Sequence, residues 1–249
     1  MNIAFIVQAR MGSTRLPQKV LRPFSNNKSI LQLLVEKIAK IEGIMTIIAT
    51  STNKENDVFE EFCVQNDIKC FRGDENDVIK RFIDAAEANG VERFIRICSD
   101  NPFLELNSVK TLLSKAKNSD ADYISFNING SPSIKTHFGF WAEFTTTSAL
   151  KKVQQLTDEK LYHEHVTNYI YNNPSIFKVE WIEGPECLNG RGNIRLTIDT
   201  IEDFINAQKV YSELCIGNPF PTIEEVVAYL DRHPDIYCTM NQQINQNIK

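Results

Sequence analysis

The chain has 249 residues, a formal net charge of -5 and 42% hydrophobic content, enough for one α/β-sized unit with a sizeable core. The acidic balance argues against a general nucleic-acid binder, which carries a basic surface, and no apolar run approaches the length of a membrane span. The six cysteines, at 63, 70, 98, 187, 215 and 238, show neither a C-x-x-C pair nor zinc-ligand spacing, so reduced, buried thiols in a cytoplasmic protein are expected.

In chain order, residues 3–7 form a short apolar run that reads as a buried strand; it is too short, and lacks the basic flank, for a signal peptide. The segment from Gln8 to Leu21, Q-A-R-M-G-S-T-R-L-P-Q-K-V-L, reads as a loop. Residues 30–41 place Ile30, Leu31, Leu34, Val35, Ile38 and Ile41 on one helical stripe, with Gly43 as its stop. Strand-like runs follow at 45–49, 68–71, 94–98 and 121–126. They alternate with helical patterns at 56–66, 77–89 and 108–116. Beyond that, 127–138 is polar and reads as a loop, 140–144 as extended, and 147–155 and 163–171 as helices. Residues 177–182 and 194–198 read as strands, 201–214 and 222–230 as helices. The Asn- and Gln-rich end, 241–249, reads as a frayed tail.

The alternation of strands and helices predicts an α/β fold in three layers, a mostly parallel sheet covered on both faces. No repeat or linker interrupts it. We expect one domain over 1–240, with an inserted acceptor and dimerisation region at about 127–190 and a flexible tail at 241–249. Nucleotides bind such sheets beyond the C-terminal strand ends. Three polar segments fall at such ends: the loop 9–19, Thr50-Ser51 and Ser99-Asp100.

The first of these carries the strongest signal. Arg10, Arg15 and Lys19 cluster around Gly12, Ser13 and Thr14. Backbone amides of a glycine-bearing loop cradle phosphate oxygens, arginine adds planar bidentate contacts and lysine a compact charge. Neither a Walker A motif nor a dinucleotide fingerprint is present. In the second, Arg96-Ile97-Cys98-Ser99-Asp100-Asn101-Pro102, an Asp stands just past a buried strand. It either caps the next helix or offers a carboxylate to a hard cation such as Mg²⁺. A third, Arg195-Leu196-Thr197-Ile198-Asp199-Thr200-Ile201-Glu202-Asp203, repeats the Arg-then-Asp pattern. Its Glu202 and Asp203 suit a first helical turn. A fourth, Phe71-Arg72-Gly73-Asp74-Glu75-Asn76-Asp77-Val78, leads into a helix with Asp77 as its N-cap.

The order R-x-G-S-T-R-L-P-x-K resembles the opening signature of the cytidylyltransferases that activate acidic sugars. These include the CMP-KDO and CMP-sialate synthetases and, more closely, the spore-coat polysaccharide cytidylyltransferase-like branch. The later R-L-T-x-D-T-x-E-D and F-R-G-x-x-x-D-V segments resemble the same family in the same order. The resemblance implies a Rossmann-like, GT-A-like nucleotidyltransferase that joins CTP and a sugar to give a CMP-sugar and pyrophosphate, with Mg²⁺ as cofactor. Ala9, Arg10, Met11, Gly12, Ser13, Arg15 and Lys19 would then contact the nucleotide, with the 11–14 backbone as cradle. Thr50, Ser51 and Arg72 would face the base or ribose, and Asp100 and Asp199 would hold the metal. Arg10 and Lys19 would join those two carboxylates in catalysis.

For the acceptor, Glu143 ends H-F-G-F-W-A-E, where the branch carries Pro-x-Gly-x-x-x-Glu and this chain has His137 in place of the Pro. His165 lies in a matching E-H-V-T segment. Arg96 and Arg195 are further candidates, one for pyrophosphate or a sugar carboxylate and the other for a plain ion pair. A homodimer is also implied. Another nucleotide, a sugar-phosphate or polyol acceptor, a nucleotide-sugar-dependent glycosyltransferase and an idle scaffold stay open as alternatives; a single Asp at 100 instead of D-x-D disfavours the glycosyltransferase.

Overall fold

The run at the N-terminal end forms strand β1 (Ile3–Gln8), buried as far as Val7. In the computed structural model, which describes residues 3–246, it is followed by a small hairpin, β2 (Pro23–Ser25) and β3 (Lys28–Ser29), then α1 (Ile30–Ile38) and β4 (Met45–Ser51). Next come α2 (Val58–Gln65), β5 (Lys69–Gly73), α3 (Val78–Ala88), β6 (Arg93–Cys98), α4 (Leu106–Lys117) and β7 (Tyr123–Ile128). The second half holds β8 (Ser131–Pro132), β9 (Glu143–Thr146), α5 (Thr147–Leu156), α6 (Lys160–Glu164), α7 (Asn168–Asn172) and β10 (Val179–Glu183). Helices α8 (Ile201–Leu214), α9 (Ile223–Asp231) and α10 (Pro234–Gln246) complete it.

The strands pair in the order β10-β7-β9-β6-β1-β4-β5, with β8 on β7. β1 runs parallel to β4 and β6. β9 lies antiparallel between β6 and β7, so the sheet is mostly parallel, as the pattern predicts. Side chains alternate across β1: Phe5 and Val7 join a core that includes residues of α1, α4 and α8. Ala4 and Ile6 join one built with α3 and α5. Burial on both faces is why the strand reads as an unbroken apolar run. Phe82 of α3, fully buried and stacked on Phe94 at 5.7 Å, anchors the second layer; truncating such a ring costs about 3–5 kcal/mol.

Caps fix where the helices begin. Asp77 Oδ1 accepts from the Lys80 amide at 2.9 Å, as expected of an N-cap. Thr200 and Asp203 form a reciprocal capping box on α8.

Four expectations change. The 163–171 helix is two short ones, because His165 leaves helical backbone and Val166 and Thr167 turn inward to be buried. In the 194–198 segment apolar Ile194, Leu196 and Ile198 alternate with polar residues, which gives it a strand-like pattern, but Arg195 is buried with them and the segment joins no strand. Its Leu196 and Thr197 amides donate to the His137 carbonyl and the Ile198 amide donates to that of Asp100. The chain from 241 to 246 continues α10, since Gln243 is buried and accepts a hydrogen bond from the Thr200 hydroxyl at 3.0 Å. The polar stretch 127–138 carries the β8 turn. Of the six cysteines only Cys63 is buried, Cys238 is exposed and the other four are half-buried, so the expectation of six buried thiols is not met. No helix among the described residues is long and apolar enough to cross a membrane.

Candidate active site

The chain leaves β1 for β4 and β5 on one side and returns to β6 on the other, so the ends of β1 and β6 flank the crevice where open α/β sheets bind ligands. The loop after β1 is anchored by buried Leu16 and Val20. A turn at Gln18, with a left-handed φ of 61°, sends the Lys19 side chain back over the sheet. There its Nζ lies 2.8 Å from Asp100 Oδ2 and 3.5 Å from Asp199 Oδ1, and it also donates to the Ile198 carbonyl. Burial works to lower the Lys19 pKa, but the charges of Asp100 and Asp199 and the bond to Asp100 outweigh it and raise the value. The ammonium is therefore fully charged at neutral pH.

Asp100 follows β6 directly. The helix behind it is capped by Glu105, whose carboxylate accepts from the Asn107 and Ser108 amides. Asp100 is thus released from capping, and its side chain is 31% exposed. Asp199 arrives on the irregular 194–198 segment. Arg15 Nη2 reaches it at 3.2 Å and Arg195 Nη2 at 3.1 Å.

Arg195 has a fully buried side chain and lies behind Asp199. It grips Asp203 through Nε at 2.7 Å and Nη2 at 2.8 Å, and its Nη1 donates to His137 Nδ1 at 2.7 Å. Burial alone would raise the Asp203 pKa, but its pairing with Arg195 and two backbone amides lower it. Of the two arginines compared in the sequence, Arg195 is a fixed ion pair that positions Asp199 and is closed to an acceptor. His137, which stands where a Pro was expected, supplies both a ring acceptor for Arg195 and a carbonyl for the 196–197 amides. Gly139 has φ +70°, and a Cβ there would press on the Leu196–Thr197 backbone at 3.3 Å, so this close approach requires glycine.

The cradle is narrower than the loop sequence suggests. The Met11 amide donates to Asn56 Oδ1 at 2.8 Å and the Ser13 amide to the Met11 carbonyl, so these two are spent on the loop's own shape. Asn56 also donates to Ser51 Oγ at 2.6 Å. It is fully buried and ties the loop after β1 to the end of β4. Sequence reasoning passed over it because an Asn opening a helical run carries no sign of a partner in the distant loop after β1.

Ala9 is buried, while Arg10 is exposed. Thr50 and Ser51 are both fully buried, and Thr50 Oγ1 has no partner among the described residues. Arg72 donates to the Ser51 carbonyl at 3.3 Å and pairs with Asp57 at 2.6 Å and Glu60 at 3.0 Å; its charge is balanced from α2's side of the sheet. A second cation beside this corner, Arg81, escaped the sequence reading. It is buried, with Nε and Nη2 unpartnered among the described residues. Burial lowers its pKa, with Arg10 adding to the effect.

A cavity of about 720 Å³ opens from these carboxylates toward the second half of the chain. Arg15, Asp100, Asp199, Arg96, Glu143, Lys135, His165 and Tyr171 contribute to its walls. Its floor is a buried polar network. Arg96 Nη1 pairs with Glu143 Oε2 at 2.5 Å and Nη2 donates to Gln8 Oε1 at 2.9 Å. Glu143 Oε1 accepts from the Tyr123 hydroxyl at 2.5 Å and from Thr167 at 2.9 Å. Burial of the phenol and the adjacent Glu143 charge push the Tyr123 pKa well up. His165 is exposed at the rim. Its neighbour His163 instead bridges α6 to α3, with Nδ1 2.9 Å from Asp77 Oδ2.

Comparison with known proteins decides the family. A family model described as cytidylyltransferase matches residues 4–238, nearly the whole chain. The chain belongs to the cytidylyltransferase family. The spore coat polysaccharide biosynthesis protein SpsF of Bacillus subtilis is 34% identical, over 94% of this chain and 96% of its own length. A 3-deoxy-manno-octulosonate cytidylyltransferase of Francisella tularensis subsp. novicida is 28% identical over 112 residues, 44% of each chain. Among solved structures, a cytidylyltransferase from Leptospira borgpetersenii superposes with a TM-score of 0.81 at 26% identity, covering 95% of this chain and 97% of that one. The protein is thus an enzyme of the cytidylyltransferase type with the expected α/β nucleotidyltransferase fold.

Proposed function

We propose that this cytidylyltransferase transfers the cytidylyl group of CTP to a hydroxyl of an acidic sugar, for surface polysaccharide or glycan synthesis. The observation that carries the reading is the meeting of Lys19, Asp100 and Asp199 from three separate segments at the mouth of one cavity. The sugar hydroxyl oxygen attacks the α-phosphorus and gives up its proton to solvent, the bond from that phosphorus to the α–β bridging oxygen breaks, and pyrophosphate leaves with the electron pair. Arg10, Arg15 and Lys19 hold the triphosphate and balance charge on the leaving group. Gly12, Ser13, Thr50, Ser51 and Arg72 shape the nucleotide side. Lys135 and His165 receive the acceptor above the Arg96–Glu143 floor.

Two carboxylate oxygens facing one point within ion-pair distance suit Mg²⁺, which takes one or two carboxylates and completes its shell with phosphate oxygens and water. Asp100 and Asp199 would hold it, and it would supply charge neutralisation at the α-phosphate and a lower pKa for the acceptor hydroxyl. The acidic acceptor is supported by Lys135, whose ammonium at the cavity wall meets, among the described residues, the Asn172 amide oxygen at 3.5 Å and the Tyr171 ring. The names carried by the Bacillus and Francisella relatives agree with polysaccharide synthesis and with a sugar acid.

The test is pyrophosphate release with Mg²⁺ from each of CTP, UTP, ATP and GTP, against sugar acids, neutral sugars, polyols and sugar phosphates. CTP with a sugar acid is expected to give at least tenfold more turnover than any other pairing. Turnover confined to a polyol or sugar phosphate would overturn the acceptor class, and turnover confined to another nucleotide would overturn CTP.

A further inference from the structure

The charges around Lys19 balance before any ligand arrives. Among the described residues, Asp100, Asp199 and Asp203 face Lys19, Arg15 and Arg195 in one connected cluster, three carboxylates against three cations. A bare divalent cation entering it would find no net negative charge to attract it. It would also meet the Lys19 ammonium 2.8 Å and 3.5 Å from the two oxygens it needs. Nor does the protein offer a full ligand shell: among the described residues no three His, Cys, Asp or Glu side chains gather to hold a metal. A triphosphate changes both terms. It brings several negative charges and phosphate oxygens for the metal, and it gives the ammonium an anion to move to on its flexible stem. Arg195 is less able to yield, because it is locked by Asp203 and His137, whereas Arg15, with half its side chain exposed, holds Asp199 from the solvent side.

We propose that Lys19 is a built-in stand-in for the divalent cation, bridging Asp100 and Asp199 in the ligand-free enzyme, so that the site accepts metal only together with a nucleoside triphosphate. This rests on the assignment of Asp100 and Asp199 as metal-holding groups. When the metal–triphosphate enters, the ammonium transfers from the carboxylates to a phosphate oxygen. One lysine thereby serves two anions in turn and bars unproductive metal binding.

The test reads binding alone, with Mn²⁺ as the probe by electron paramagnetic resonance and α,β-methylene-CTP as a triphosphate that cannot transfer its cytidylyl group. Wild-type protein should bind Mn²⁺ at least tenfold more tightly with the analogue than without it. Lys19→Met should bind Mn²⁺ alone at least tenfold more tightly than wild type, while Lys19→Arg, which keeps the charge, stays weak. Wild-type protein that binds Mn²⁺ alone as tightly as with the analogue overturns the proposal without need of any variant. So does an unchanged Mn²⁺ affinity in folded Lys19→Met. In either case Asp100→Asn and Asp199→Asn locate the failure. If they abolish Mn²⁺ binding in the analogue complex, the carboxylates hold metal and only the stand-in role falls. If they leave it intact, the metal assignment falls with it.

Discussion

Two acid–base clusters border the cavity, each pairing a basic side chain with a carboxylate, with opposite consequences. In the Lys19–Asp100–Asp199 cluster the carboxylate side chains are 31% and 17% exposed. In the Arg96–Glu143 floor the side chains are 9% and 4% exposed, and Glu143 is further bonded to Tyr123 and Thr167. The first is partly open to solvent, which leaves its ions room to change partners. The second is sealed, and breaking one of its bonds leaves a charge with nowhere to go. Burial and the count of hydrogen bonds, rather than the pairing of Lys or Arg with an acid, separate a cluster that exchanges ions from one that holds a shape.

Substitution should separate the two. Asp100→Asn is expected to lower kcat by about 10²- to 10³-fold while costing no more than about 1 kcal/mol of stability, as for a partly exposed ion pair; steady-state kinetics and thermal unfolding measure both. Glu143→Ala should do the reverse in kind. Leaving the Arg96 guanidinium buried without its acid costs about 3–5 kcal/mol, a fall in Tm of roughly 10 °C for a chain of this size. A large loss of stability in the first variant, or none in the second, would erase the distinction. Asn56→Ala tests whether the exchanging cluster depends on a fixed loop. It removes the tie between Met11 and Ser51, and KM for CTP is expected to rise about tenfold, the equivalent of one lost buried hydrogen bond, with kcat little changed.

The smallest effect concerns the His163–Asp77 bridge between α6 and α3. Burial lowers the His163 pKa, but the Thr157 carbonyl and Asp77 outweigh it and raise the value. The bridge therefore stabilises the folded chain fully below the ordinary histidine pKa of about 6.5, and that contribution is lost as pH rises through the raised folded value. An NMR titration should place His163 above the ordinary value and return it toward that value in Asp77→Asn. A titration unchanged by Asp77→Asn would remove the bridge as its cause.

Legibility in the sequence follows the range of the interaction involved. The β1, β4, β6 and β7 strands and the stripe of α1 could be read because burial on a face repeats along a few neighbouring residues. The Asp77 cap and the Thr200–Asp203 capping box are equally local. The 194–198 segment could not be told from a strand, since Ile194, Leu196 and Ile198 alternate as a strand's residues would while their backbone partners, the His137 and Asp100 carbonyls, lie far away in the chain. The same distance hid Asn56, Arg81 and His137, whose partners are set by how loops meet. It also hid the direction of Arg195, which turns inward to Asp203.

The sequence alone determined the α/β layering, the family signature and the cation-rich, glycine-bearing loop after β1, because periodicity and motif order are properties of nearby residues. Tertiary structure decided which of the acids and bases meet. It brought Lys19, Asp100 and Asp199 together from positions far apart in the chain, placed Arg195 behind the site and sealed Glu143 beneath the cavity. Charge and burial depend on three-dimensional neighbours, so only the packed chain could distinguish the ions able to exchange from those fixed in place.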